Sequence, residues 1–529
     1  MASAGVDQVQ KSKIESLSQG WGNGGGSGRG GVSRSRQVGF ANDSGALLVR
    51  PGDFNTEAYN ATRENVFLAA QDNPLSTFSI DVDTASYSNV RRFLQGDQLP
   101  PAGAIRTEEL LNYFRYDYPQ PEGSAPFSVT VAAARAPWDS RRELVQIGLK
   151  GRETHASERA PANLVFLIDS SGSMNSPDKL PLLQRSLRAL VENLSPKDRV
   201  AVVAYAGSSG LVLPSTPGTK KQEIIDAFTN LSAGGSTHGS EGIRLAYEVA
   251  RENFLKEGSN RVILCTDGDF NVGVTDQSEL QRLIEKERAS GVFLSVLGFG
   301  TGNLKDSTME LLADKGNGNY AYIDSLTEGR KVLVEEMGST LFTIAKDVKI
   351  QVEFNPARVA GYRLIGYENR LLAKEDFNDD KKDAGEIGEG HTVTALYEII
   401  PAGQAVPGQP SVDPLKYRKP EGAVSASSDE LLTVKLRYKA PDGDKSELLE
   451  VPFGAKEIPD FGKASDDFRF ASAVAAFGMK LRNSPEQGDI SWDDIQKIAR
   501  GSLGEDAGSY RAEFLTLIER AKALGAPQQ

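Results

Sequence analysis

Phe166-Leu-Ile-Asp-Ser-Ser-Gly-Ser-Met174 is the stretch that decides the fold. It closes a near-continuous apolar run, Asn163-Leu-Val-Phe-Leu-Ile168, then breaks into a carboxylate, hydroxyls and a glycine. A strand apolar on both faces is one covered on both faces, as in parallel sheets. A helix pattern over 179–194 follows it. The alternation then continues: strand 199–205, helices 221–231 and 240–254, strand 261–266, helix 278–289, strand 292–298, helix 304–313, a short strand 320–323 and a last helix 326–342. This order predicts an α/β fold, a doubly wound (Rossmann-like) domain over 161–345.

In such a sheet, ligands bind outside the carboxyl ends of the strands. Asp169, Ser171 and Ser173 sit there at i, i+2 and i+4, and Gly172 eases a turn that aims three oxygens at one point. Two further loops lie at strand ends. Gly234-Gly-Ser-Thr-His-Gly239 offers the Thr237 hydroxyl, and Cys265-Thr-Asp-Gly-Asp269 offers the Asp267 carboxylate. Hard oxygen donors of this kind suit a hard divalent cation. With only two carboxylates in the set, the ion stays electrophilic and keeps a position for an acidic group from outside. Singly, each residue has a plainer reading: Ser171 or Ser173 as a helix cap, Asp267-Gly268 as a turn, Thr237 as an N-cap.

The three pieces together resemble the metal-ion-dependent adhesion site (MIDAS) of von Willebrand factor type A (VWA) domains. Asp169-Ser-Ser-Gly-Ser173, a distant Thr237 and Thr266-Asp-Gly268 match it in order. Asp72-Asn-Pro-Leu-Ser-Thr-Phe-Ser-Ile-Asp-Val-Asp-Thr84 and Phe114-Arg-Tyr-Asp-Tyr-Pro119 extend the likeness over about residues 65–525, to a bacterial VWA protein family with an N-terminal lead-in domain and a C-terminal domain of unknown function. The resemblance implies Mg²⁺, with Ca²⁺ or Mn²⁺ as alternatives, bound directly by Asp169, Ser171 and Ser173, and directly or through water by Thr237 and Asp267. It implies a protein ligand with an acidic residue. Family members are described as exported and often lipoprotein-like, which implies the bacterial periplasm or cell surface, with a lipid anchor in the full-length form.

Outward from the motif, five regions are expected: a flexible Gly-rich linker at 1–64; an α+β lead-in at 65–126; a β-sandwich-like domain from 127–160 and 346–460; the VWA domain at 161–345, inserted beside it; and a C-terminal helical segment at 461–529. In the lead-in, residues 78–82 alternate like a strand, 86–94 and 106–114 read as helices, and Thr107 is the expected N-cap of the second. Strand patterns at 127–131, 144–149, 348–354, 392–399 and 432–438 are expected to share one sandwich.

Composition narrows the function. The 529 residues carry a net charge of −12, with 39 % apolar and 25 % charged residues. Nucleic acid is excluded as a partner, because phosphate binding needs clustered Lys and Arg. The single cysteine, Cys265, is expected in the core; with His155, His238 and His391 scattered, it excludes a thiolate zinc site. No run of ~18 apolar residues exists, so no transmembrane segment, and no channel-like role, is expected. Asp81-Val-Asp-Thr84 is one residue short of a haloacid dehalogenase-type phosphatase motif and is expected to cap the next helix instead. Gly235-Ser-Thr-His-Gly239 has Thr where a serine hydrolase needs Ser. The expectation is a binding module, not an enzyme; the alternative is a structural or regulatory cell-envelope scaffold whose metal only stabilises the VWA fold.

Overall fold

In the computed structural model, the apolar run ending at Asp169 lies at the centre of a six-stranded sheet. The structure describes residues 57, 59, 63–153, 159–206, 209–234, 239–268, 277–382, 384–408, 429–441, 443, 445–454 and 457–525.

The lead-in supplies β1 (Leu68–Ala69), β2 (Leu75–Ser79) and helices α1 (Ala85–Gln95) and α2 (Thr107–Asn112). Then come β3 (Phe127–Arg135) and β4 (Glu143–Gly151). The α/β unit follows as β5 (Ala162–Asp169), α3 (Leu180–Glu192), β6 (Arg199–Tyr205), β7 (Ser209–Pro217), α4 (Lys221–Thr229), α5 (Gly239–Glu252), β8 (Ser259–Thr266), α6 (Gln277–Ala289), β9 (Phe293–Phe299), α7 (Asp306–Lys315), β10 (Tyr320–Ile323), α8 (Leu326–Arg330) and α9 (Met337–Leu341). Next are β11 (Thr343–Phe354), β12 (Val359–Ile365), β13 (Gly385–Gly388), β14 (Thr392–Pro401), β15 (Glu430–Lys439) and β16 (Ser446–Gly454). Helices α10 (Asp466–Leu481), α11 (Trp492–Arg500) and α12 (Tyr510–Ala523) end the described chain.

The α/β sheet runs β10-β9-β8-β5-β6-β7, parallel except for β7. Successive residues of β5 face opposite sides. Leu164, Phe166 and Ile168 pack with Leu183 and Leu187 of α3 and Phe228 of α4, while Val165 and Leu167 pack with Ile243 and Ala246 of α5. Strand β7 is not foreseen by the periodicity, because Pro214 and Pro217 interrupt its pattern; an edge strand tolerates both. The expected helix over 326–342 is in three pieces, with a π-helical turn at Lys331–Glu335 between α8 and α9. There the buried Lys331 ammonium pairs with Glu336 and lies 4.2 Å from the Tyr113 ring centre.

The flanking strands form two sheets on one core. One runs β1-β12-β14-β4-β3; the other runs β13-β11-β15-β16, with β2 also on β11. Strand β4 pairs with β14 from Thr392 opposite Lys150 to Ile399 opposite Glu143, so chain on either side of the α/β unit meets in one sheet. Phe78, Ile147, Ile350, Phe354, Tyr397 and Val434 are among the residues filling the space between the sheets. The lead-in is thus less separate than the pattern suggests. Its strand is at Leu75–Ser79, not 78–82, and pairs with β11, although Ile80 and Val82 remain buried beyond it. Its helices pack with the C-terminal ones: Tyr87, Leu110 and Phe114 share a core with Phe470, Phe477 and Phe514.

Two expected caps are corrected. Arg106, not Thr107, occupies the N-cap of α2; Glu108 and Glu109 in its first turn complement the helix dipole, and Thr107 packs against Gly478 of α10. Thr84 stands at the N-cap of α1 but makes no side-chain cap, and Asp83 instead accepts from the Tyr320 amide at 2.7 Å and from Arg370 at 3.3 Å.

Arg91 of α1 ties the chain ends to the α/β unit. Its guanidinium pairs with Asp324, with Glu328 at 2.8 Å and with Glu513 of α12 at 3.1 Å, and donates to the Tyr113 hydroxyl at 2.9 Å. Removing one member of a buried ion cluster leaves the others uncompensated. Arg91→Ala is expected to cost about 3–5 kcal/mol in urea-induced unfolding; a loss under 1 kcal/mol would refute the clamp.

Candidate functional site

The register of the central strands brings the expected site together. Asp169 is the last residue of β5 and lies opposite Tyr205, while Ile168 lies opposite Cys265. Asp267 follows β8 directly, so both carboxylates emerge at the same sheet edge. A 3₁₀ turn over Gly172–Asn175 continues the motif. Within it the Ser171 amide donates to Asp169 Oδ1 at 2.8 Å, and the Ser171 and Ser173 hydroxyls are 2.9 Å apart. The Ser173 hydroxyl also helps to stabilise the charge on Asp267. Among the described residues, the other Asp169 oxygen has long contacts only, to the Tyr205 hydroxyl at 3.4 Å and the Thr266 hydroxyl at 3.5 Å. Of the five expected donors, Asp169, Ser171 and Ser173 are thus linked by hydrogen bonds, and Asp267 lies at the same strand edge. Thr237 lies outside the described residues, as do His155 and His238. The chain leading to Thr237 is anchored here, since the Gly234 amide donates to the Ser170 carbonyl at 2.8 Å. Cys265 is fully buried.

Electrostatics separate the two carboxylates. Burial pushes Asp169 up to about 6 against the pull of Ser171, and the charge of Asp267 adds to the rise. Burial raises Asp267 as well, but the Lys179 ammonium, Asn303 and Ser173 outweigh it and hold Asp267 below the usual carboxylate range. Asp169 is therefore a fully buried acid with one weakly satisfied oxygen, next to an ionised neighbour. Two carboxylates and two hydroxyls, all hard oxygens, fit a hard divalent cation. Gly268, at φ +104°, makes the turn after Asp267; a Cβ there would lie 2.7 Å from the Asn303 carbonyl oxygen.

Residues the sequence reading missed complete the surroundings. Tyr205 flanks Asp169, Lys179 is 2.9 Å from Asp267, and Asn303 is 3.3 Å from Lys179. A signal for Lys179 was present: it stands at the N-cap of α3, where Ser, Thr, Asp or Asn is favoured.

A second acidic group lies deeper. Carboxylate oxygens of Asp83, Glu109 and Glu310 come within 4.8 Å of one another. Arginines already fill this space. Arg106 pairs with Glu109 and with Asp306 at 2.7 Å, and Arg370 pairs with Glu310 at 2.9 Å, Asp314 at 2.7 Å and Asp83 at 3.3 Å. This is an ion-paired junction between lead-in, α/β unit and sandwich. Burial pushes Glu109 up to about 7, opposed by Arg106, and likewise pushes Asp314 up to about 7, opposed by Arg370.

Comparison with known proteins follows this architecture. The chain is 45 % identical over 494 residues to the uncharacterized protein YfbK of Escherichia coli (strain K12), covering 92 % of this chain and 84 % of that one. The chain belongs to the YfbK family of VWA proteins. Sequence models match along its length: von Willebrand factor at residues 53–146, von Willebrand factor type A domain at 163–334, and the C-terminal region of uncharacterized protein YfbK at 339–524. A shorter likeness, 30 % identity over 148 residues, reaches human inter-alpha-trypsin inhibitor heavy chain H4, covering 26 % of this chain and 16 % of that one. Among solved structures, a von Willebrand factor type A protein from Catenulispora acidiphila shares 14 % identity at a TM-score of 0.38, covering 86 % of this chain and 91 % of its own. The site of this YfbK-family chain lies within the matched VWA region.

The junction has a pH consequence. Carboxyls whose folded pKa is raised stabilise the fold below their unfolded pKa, and that contribution is lost as pH rises through the folded value. For Glu109 and Asp314 the loss spans roughly pH 4 to 8. Denaturation midpoints of the protein are expected to fall from pH 5.5 to 8.5, and less so in Glu109→Gln or Asp314→Asn. Parallel profiles in all three proteins would show that these groups carry no such proton.

Proposed function

We propose that the protein is a metal-dependent protein–protein interaction module that engages an acidic group of its partner through a MIDAS. The observation that carries this reading is the joining of Asp169, Ser171, Ser173 and Asp267 at one strand edge, with a buried, weakly satisfied Asp169 carboxylate at its centre. Asp169 and Asp267 supply charge, Ser171 and Ser173 supply neutral oxygens, and Thr237, outside the described residues, is the proposed fifth donor. A Mg²⁺ ion held by these residues, or Ca²⁺ or Mn²⁺ in its place, would supply a positive centre for a partner carboxylate. The chain's own task is to hold the four oxygens in place and to keep the negative charge low enough that an anionic partner is attracted.

Binding rather than catalysis is the proposed role. Helix α8, the π-helical turn and α9 lead directly into β11 of the sandwich and are the proposed relay out of the α/β unit. A π-helical turn is a common point of adjustment in a helix, so partner binding that moves the site loops can be relayed there. The proposed setting is the bacterial periplasm or cell surface, with a lipid anchor on the full-length form. Its support is the exported character implied by the family resemblance, together with the absence, among the described residues, of any helix long and apolar enough to cross a membrane.

The test is affinity capture from native cells with and without chelator, alongside Mg²⁺ and Mn²⁺ calorimetry. The protein is expected to bind the ions and to retain a partner only when loaded. Asp169→Ala is expected to weaken ion binding at least tenfold, since loss of even an outer-shell group typically costs about 10–100-fold. An Asp169→Ala protein that folds and keeps both ion and partner overturns the adhesion reading. Capture that is indifferent to chelator, with ion binding intact, favours the scaffold in which the cation only stabilises the fold.

A further inference from the structure

Lys179 breaks a local rule. It occupies the N-cap of α3, where a short side chain with an acceptor oxygen is favoured and a positive charge opposes the helix dipole. No side-chain cap is made there. The side chain is 9 % exposed, so its charge is also largely removed from water. Residues that violate local preference and burial together are typically held by function.

What holds Lys179 is the cation site. Its stem crosses Gly300 so closely that a Cβ at that position would lie 2.2 Å from Lys179 Cε, and Gly300 has φ +75°. Beyond this glycine the ammonium ends 2.9 Å from Asp267 Oδ2 and 3.3 Å from Asn303 Oδ1. Asp267 therefore sits between Ser173, which belongs to the motif, and a fixed cation behind it. Asp169, Asp267 and Lys179 together carry one net negative charge when both acids are ionised.

We propose that Lys179 is a built-in counter-charge that lowers the site's affinity for its cation and raises the loaded site's attraction for an anionic partner. The inference rests on the MIDAS reading above. Without Lys179, two carboxylates would neutralise a divalent ion. With it, the loaded site keeps one net positive charge facing the partner. In the ion-free protein the same ammonium compensates Asp267. Lys179 is a specificity-determining residue acting through Asp267, not a ligand.

The magnitude follows from Coulomb's law. A unit charge about 5 Å away, at an effective dielectric of about 20, changes a binding constant by well over tenfold. The experiment is calorimetric titration of the full chain with Mn²⁺ and with Mg²⁺, for the native protein, Lys179→Met, Lys179→Gln and Lys179→Arg, with thermal midpoints measured in chelator and in excess ion. The neutral variants are expected to bind each ion at least tenfold more tightly and to melt lower in chelator, widening the gap between ion-free and loaded midpoints. Lys179→Arg, which keeps the charge, is expected to stay within about threefold of the native affinity. Should Lys179→Met not fold, Lys179→Gln retains a hydrogen-bond donor and decides the matter alone. Unchanged or weaker ion binding by the neutral variants overturns the counter-charge and leaves Lys179 as a support for Asp267. No ion binding by the native protein overturns instead the site reading on which the inference rests.

Discussion

The parallel pairing of β5 between β6 and β8 is the constraint on which the site depends. It sets Asp169 opposite Tyr205 and Ile168 opposite Cys265, so the chain must leave all three strands at one edge. Hydrophobic burial fixes that register, because alternate residues of β5 feed two different helical layers and a one-residue slip would exchange them. Polar chemistry can then be concentrated at the strand ends: a buried acid, a turn of two serines and a second acid held ionised from behind by a lysine.

The rest of the molecule steadies this edge. Chain on both sides of the α/β unit returns to a single β sandwich, through β4 and β14, and the lead-in adds a strand to each of its sheets. Buried arginines complete the frame. Arg91 joins α1 to α12 and to the chain around α8, and Arg370 joins the sandwich to Asp83 and to α7. Buried ion clusters are costly to assemble and costly to break, which makes them suited to fixing geometry. The carboxylate group at Asp83, Glu109 and Glu310 belongs to this framework: it is already met by guanidinium groups, whereas among the described residues no cationic side chain pairs with Asp169.

Much of this was legible in the sequence where burial dictated the pattern. The strand at Asn163–Ile168 and the helices of the α/β unit before residue 326 follow from periodicity, and four of the five proposed donors lie at one strand edge in the structure. What escaped was set by tertiary partners. Prolines hid β7, since their cost vanishes only at a sheet edge. The Asp81–Thr84 stretch resembled a helix start, yet Asp83 is claimed by Tyr320 and Arg370, which are more than 200 residues away in sequence. Lys179 stood in the sequence only as the first residue of a helix pattern, and its partners Gly300 and Asp267 are set by the tertiary fold.

The central claim is that the strand-edge group, and not the deeper arginine-filled one, holds the cation. Anomalous X-ray scattering from crystals of the protein grown with Mn²⁺ separates the two directly. The account predicts a single strong manganese peak among Asp169, Ser171, Ser173 and Asp267, with Thr237 in its inner or water-bridged shell. A peak at Asp83, Glu109 and Glu310, or none beside Asp169, would contradict it.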